Sequence, residues 1–165
     1  MCVMKSDCEN LLQNIASIAQ SKSIMVGTAE SCTGGLVSKL CTDYPGSSKW
    51  YGCGCITYSD ESKQQMLGVS LETLQQYGAV SEQTVLEMAQ GMLKVSDVNI
   101  VAAITGIAGP TGATEASPVG TVWLAWGDLN NGFNTKLVNL SGDREEIRYQ
   151  SAIAALEGLL QHLHK

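Results

Sequence analysis

Apolar positions recur along the chain at two spacings, and they divide it into elements. Leu11, Leu12, Ile15, Ala16, Ile18 and Ala19 fall at helical intervals and predict an amphipathic helix to about residue 21. Ser6, with Glu9 three residues later, fits a capping box at its start. Ile24-Met25-Val26 is a short apolar run that predicts a buried strand over residues 23–29. Leu36, Val37, Leu40 and Cys41 return to helical spacing, giving a helix over 32–43 that Tyr44-Pro45-Gly46 stops. Residues 50–58 read as a strand with Gly52 and Gly54 inside it. Two short helices follow, one ending near Gly68 and one from Leu71 to Tyr77. Ser81 then caps a helix whose stripe of Val85, Met88, Ala89, Met92 and Leu93 faces a core.

The second half is richer in strands. Ile100 to Ile104 is apolar throughout, as expected of a central strand covered on both faces. A glycine-rich loop, residues 106–112, follows it. Val119 to Trp126 and Phe133 to Leu140 read as two strands, and Asn130-Asn131-Gly132 between them predicts a hairpin. Asp143 caps a last helix, with Glu145 and Glu146 favourable in its first turn. The predicted order is α-β-α-β-α-α-α-β-β-β-α, without an internal repeat. Burying these faces calls for an α/β fold, a three-layer α/β/α sandwich with a mixed sheet of about five strands. A chain of 165 residues suits a single domain over 1–165.

Composition narrows the partners. Sixteen acids against ten bases give a net charge of −6, which argues against general nucleic-acid binding. No run approaches the roughly 20 apolar residues of a membrane span, and the N-terminus lacks a secretory apolar region. Six cysteines in a chain large enough not to need disulfides point to free thiols in a reducing cytoplasm. Cys53 and Cys55 project the same way from one strand, but nothing near them completes a tetrahedral metal set. Neither a metal nor a cofactor is expected.

Chemistry gathers at Thr28-Ala29-Glu30-Ser31-Cys32-Thr33-Gly34-Gly35, where a strand hands over to a helix. The first N–H groups of a helix are unpaired and attract an anion or a developing oxyanion. Ser31 is placed there as either a helix cap or a nucleophile. The two histidines, His162 and His164, stand at a frayed C-terminus, which argues against a Ser-His or Cys-His site. A serine without histidine needs another base, and a lysine with a destabilised ammonium is the usual one. Lys63, beyond the strand that carries Tyr58, is the candidate. Parallel strands at 24–29 and 50–58 would bring Ser31 and Tyr58 to one sheet edge, with Thr105 arriving from the central strand. A cap and a solvated lysine would also explain Ser31 and Lys63. Cys32 is the rival nucleophile, with buried helix packing its preferred reading.

Taken together, these segments resemble one family. Thr28 to Gly35, Tyr58-Ser59 with Lys63, Gly78-Ala79-Val80-Ser81, Gly106-Ile107-Ala108-Gly109-Pro110, Pro118 to Val122 and Gly142-Asp143-Arg144 are similar to motifs of the CinA C-terminal domain family, in the family's order. Its members include nicotinamide-nucleotide amidases, which hydrolyse the carboxamide of nicotinamide mononucleotide to nicotinate mononucleotide and ammonia. The resemblance implies Ser31 as nucleophile, Lys63 as its base and Tyr58 beside them. It implies that Thr105, Gly106, Ala108 and Gly109 hold substrate, and that Arg144 or Arg148 meets a phosphate. Backbone N–H groups around Cys32, Thr33, Gly34 and Gly35 would hold the oxyanion.

Two other readings keep the same residues. One is a non-catalytic nucleotide-binding or regulatory protein, connected with competence or DNA damage. The other is an amidase for a different carboxamide. Ser31, Tyr58 and Lys63 together favour an enzyme, because a binder needs no nucleophile–base pair. The implied partner is the small-molecule substrate alone, with no membrane, and the chain is expected to form a homo-oligomer through apolar surface on its terminal helices.

Overall fold

The computed structural model describes residues 2–165, with side chains from residue 8 onward. Six helices and five strands follow in the expected order. They are α1 (Cys2–Ser21), β1 (Val26–Glu30), α2 (Leu36–Asp43), β2 (Tyr51–Ile56), α3 (Asp60–Leu67), α4 (Leu71–Tyr77), α5 (Glu82–Val95), β3 (Ile100–Gly106), β4 (Thr121–Asp128), β5 (Gly132–Asn139) and α6 (Arg144–Leu163). The strands form one mixed sheet in the order β2-β1-β3-β4-β5. β1 runs parallel to β2 and β3, whereas β4 and β5 pair antiparallel.

Alternation along β3 splits the core in two. Ile100, Ala102 and Ile104 face a layer with apolar residues of α1, α2 and α6, among them Ile15, Val37 and Leu156. Val101 and Ala103 face the opposite layer, built on α3, α4 and α5 through Leu67, Leu74, Val85 and Met88. This is the expected three-layer sandwich. Its parallel half brings the C-terminal ends of β1, β2 and β3 to one edge, the edge at which open α/β sheets place their sites.

Several local expectations are corrected. α1 begins at Cys2, so Ser6 lies inside the helix rather than at its cap; its side chain is outside the described residues. α2 begins at Leu36 rather than near residue 32, and residues 32–35 form turns before it. The C-terminus is not frayed at His162. That ring is buried, with Nε2 2.8 Å from Asp128 Oδ2, and it clasps α6 to the β4–β5 hairpin. Asp128 in turn accepts from the Asn130 and Asn131 N–H groups, which shapes the turn. The exposed large apolar side chains, Ile56, Met66, Leu71, Tyr77, Val95 and Leu137 among them, lie on β2, α3, α4, α5, β5 and loops rather than on the described parts of the terminal helices. Among the described residues, no helix is long and apolar enough to cross a membrane.

Candidate active site

Ser31 follows the last residue of β1, and its N–H donates to the Ile104 carbonyl of β3 at 3.0 Å. Lys63 comes from the first turn of α3, where a capping box between Ser59 and Ser62 fixes the helix start. That turn aims the lysine inward. Lys63 is 1% exposed, and its Nζ donates to Ser31 Oγ at 3.2 Å and to the Thr57 carbonyl at 3.1 Å. A solvated lysine is thereby ruled out. Burial pushes its pKa below the ordinary lysine value, while the charge of Asp60 and the Cys32 group pull the other way. A lysine so placed is the kind that can give up its proton to act as a base.

Ser31 does not cap α2. The N-cap is Gly35, in the left-handed region with φ 93°, and it supplies no side-chain bond. The helix start is held instead by Glu30, which is fully buried. One carboxylate oxygen accepts from Thr33 Oγ1 and from the Gly35 and Val37 N–H groups; the other accepts from the Ser38 N–H and Ser38 Oγ. The anion expected at this helix N-terminus is therefore part of the protein.

A hydroxyl relay supports that carboxylate. Thr28 Oγ1 lies 2.8 Å from both Ser38 Oγ and the Tyr51 hydroxyl. With the Ser38 proton committed to Glu30, Thr28 donates to Ser38 and Tyr51 donates to Thr28. Gly54 leaves room for this cluster, since a Cβ there would fall 2.4–2.7 Å from all three hydroxyl oxygens.

With α2 satisfied by Glu30, the turn before it is free for other work. The Gly34 N–H closes the turn onto the Ser31 carbonyl. Among the described residues, the Cys32 and Thr33 N–H groups have no acceptor other than the adjacent Cys32 sulfur. They are the remaining donors beside Ser31. The Cys32 thiol is pushed up to about 12 by burial, with Glu30 adding to the rise, so it stays protonated at neutral pH.

A cavity of about 330 Å³ opens over this pair. Ser31, Cys32 and Lys63 line its floor. Thr105 contributes to one wall, and its Oγ1 donates to the Ala79 carbonyl at 2.7 Å, tying β3 to the turn before α5. Gly106, Ala108 and Gly109 line it too, and so does Arg144. Arg144 reaches over from α6 and donates to the Gly109 carbonyl at 2.6 Å and the Tyr58 hydroxyl at 2.9 Å. Tyr58 is 62% exposed and stands at the mouth, with no hydrogen bond to Ser31 or Lys63 among the described residues.

Thr33, Gly34, Gly35 and Arg148 stand back from the cavity lining. Gly34 and Gly35 take positive φ to make the turn. Arg148 donates to the Thr33 carbonyl at 2.7 Å, so the first turns of α6 brace both the 33–35 turn and the 109 loop. Sequence reasoning gave no part to Glu30, Ser38, Thr28 or Tyr51. One signal was present: a glutamate at the end of a strand that is otherwise buried needs donors, and the hydroxyls and glycines after it supply them.

Comparison with known proteins places the chain in a family. A CinA C-terminal domain model matches residues 8–163. The chain belongs to the CinA C-terminal domain family. Within it, the chain is 46% identical over 156 residues to the nicotinamide-nucleotide amidohydrolase PncC of Escherichia coli (strain K12), covering 94% of each chain. It is 48% identical over 136 residues to the PncC of Pseudomonas putida, covering 82% of this chain and 84% of that one. Among solved structures, the competence/damage inducible protein CihA from Agrobacterium tumefaciens superposes with a TM-score of 0.92 at 42% identity, covering 96% of both chains.

Proposed function

We infer that this CinA-family chain is a nicotinamide-nucleotide amidase, which hydrolyses the carboxamide of nicotinamide mononucleotide to nicotinate mononucleotide and ammonia. The observation that carries the reading is the buried Lys63 donating to Ser31 in the floor of an open cavity. The match to amidohydrolases over 94% of their length supports the substrate class.

Amide hydrolysis needs attack on a resonance-stabilised carbonyl and then protonation of a poor leaving group. In this reading Ser31 Oγ attacks the carboxamide carbon while neutral Lys63 takes the hydroxyl proton. The carbonyl oxygen becomes an oxyanion facing the N–H of Cys32, which lines the cavity beside Ser31. Lys63 then returns the proton to the departing nitrogen, and ammonia leaves an ester on Ser31. A water molecule, deprotonated by the same lysine, cleaves that ester.

Tyr58 takes a different part from a proton relay. Its hydroxyl orients Arg144 at the cavity mouth, and Arg144, unlike Arg148, lines the cavity. Arg144 is therefore assigned to the substrate's phosphate. The test is ammonia release from nicotinamide mononucleotide by purified protein, beside Ser31→Ala and Lys63→Ala. Turnover by the parent protein with a loss of at least about a hundredfold in each variant is expected. No turnover by the parent would overturn the reading for this substrate.

A further inference from the structure

Among the described residues, three charged side chains line the cavity: Lys63, Arg144 and Asp60. Lys63 is held by Ser31 and Thr57, and Arg144 by Gly109 and Tyr58. Asp60 differs. Its backbone carbonyl accepts from Gln64, but its carboxylate has no hydrogen bond or ion pair among the described residues.

The ordinary explanation for an acid in the first turn of a helix is service to the helix end. At α3 that service is performed by others. Ser59 and Ser62 form the capping box, and Glu61 takes hydrogen bonds from its own N–H and from the Ser59 side chain. Asp60 is left over, exposed, and turned to the cavity that Glu61 does not line.

Its position is awkward for catalysis on a neutral molecule. A negative charge in the wall of the cavity favours the protonated form of Lys63, which cannot act as a base. A cavity made for neutral carboxamides would work better without it. The nicotinamide ring of the nucleotide is different, because N-alkylation gives it a full positive charge. Resting on the amidase reading above, we propose that Asp60 receives the cationic pyridinium ring and makes the site selective for the oxidised nucleotide.

The same contact prepares the base. A cation beside Asp60 cancels the field that holds the proton on Lys63, and its own charge disfavours a second cation nearby. The charged substrate therefore helps to generate the neutral lysine that deprotonates Ser31. The exposed ring of Tyr58, two residues before Asp60 and also in the lining, offers an aromatic face to the same cation. With Arg144 on the phosphate, the cavity complements both charges of its substrate.

Calorimetry on the full chain carrying Ser31→Ala, which blocks turnover, tests this with three ligands. Nicotinamide mononucleotide has the cationic ring and the phosphate; its dihydro form keeps the phosphate on a neutral ring; nicotinamide riboside keeps the cation without the phosphate. Adding Asp60→Asn should weaken the mononucleotide and the riboside about fivefold each, as expected of an exposed ion pair, and leave the dihydro form within about twofold. Asp60→Glu should restore most of the loss. Arg144→Ala should weaken the two phosphorylated ligands and spare the riboside. Equal losses on the cationic and neutral rings with Asp60→Asn, or no binding of any ligand, would overturn the proposal. Failure of the amidase reading would show separately, as absent ammonia release by the parent protein despite binding here.

Discussion

Lys63 Nζ lies 3.2 Å from Ser31 Oγ, and its other hydrogen bond goes to a backbone carbonyl rather than to a carboxylate. A buried ammonium with two neutral acceptors is poorly compensated, which is why its pKa falls below the ordinary 10.5. As the proposed base, Lys63 would work deprotonated, so kcat/KM should rise with pH along an acid limb lying below that value. Asp60 holds the lysine's proton on; Asp60→Asn should therefore move the limb to lower pH. A pH–rate profile of the two proteins checks this, and a shift to higher pH would reverse the assigned sign.

Cys32 is adjacent to Ser31 and intrinsically the better nucleophile, yet its thiol is pushed up to about 12 by burial. Alkylation by iodoacetamide follows the thiolate. At neutral pH Cys32 should stay unmodified for hours while the more exposed Cys53 reacts, as read by peptide mass spectrometry. Cys32→Ala should keep activity within about tenfold of the parent.

Glu30 accepts five hydrogen bonds in a site closed to water. Glu30→Gln replaces one acceptor oxygen with a donor that faces other donors. The expected cost is about 2 kcal/mol, or a fall in Tm of about 5 °C for a chain of this size. Because the carboxylate sets the turn that carries the Cys32 N–H, the proposed oxyanion donor, kcat should fall further than KM changes. Thermal unfolding and steady-state kinetics measure the two effects separately.

At the far end of the sheet, Asp128 gives a prediction about stability alone. Burial pushes its carboxyl up, but hydrogen bonds from Asn131, His162 and Asn130 outweigh that and bring it to about 2, below the ordinary 3.8. A depressed carboxylate stabilises the fold fully above its unfolded value, and that contribution is lost as pH falls through about 2. Asp128→Ala should lower stability at neutral pH by about 2 kcal/mol, and the difference from the parent should shrink as pH drops below 3.8. Turnover at neutral pH should be unchanged, since hairpin and cavity are apart. Urea melts at several pH values provide the check.

Much of this was legible in the sequence. Apolar patterning found most helices and strands, whereas α3, with little apolar stripe of its own, was marked by its polar opening and by Gly68. Gly68, Gly78 and Asn130-Asn131-Gly132 end elements where local chemistry says they should. Parallel β1 and β2 brought Ser31 and Tyr58 to one edge by chain order, but the pairing of Ser31 with Lys63 came from the family resemblance, since a cap and a solvated lysine explained both residues as well. What stayed hidden depended on side chains from distant segments. Thr28 to Gly35 read as a helix start open to an anion, and only the folded turn shows that Glu30 fills that place itself. Its own terminal position made His162 look frayed, because its partner Asp128 lies 34 residues away in the chain. Arg144 and Arg148 are equivalent by sequence, and they separate only when α6 aims one at the cavity and the other at the Thr33 carbonyl.

The proposed amidase chemistry turns on a covalent step at Ser31. Acid quenching during turnover of nicotinamide mononucleotide, followed by peptide mass spectrometry, tests it most directly. A nicotinate mononucleotide ester is expected on the peptide containing Ser31, mapped to the serine and absent in Ser31→Ala. An adduct mapped to Cys32, or full turnover by Ser31→Ala, would contradict it.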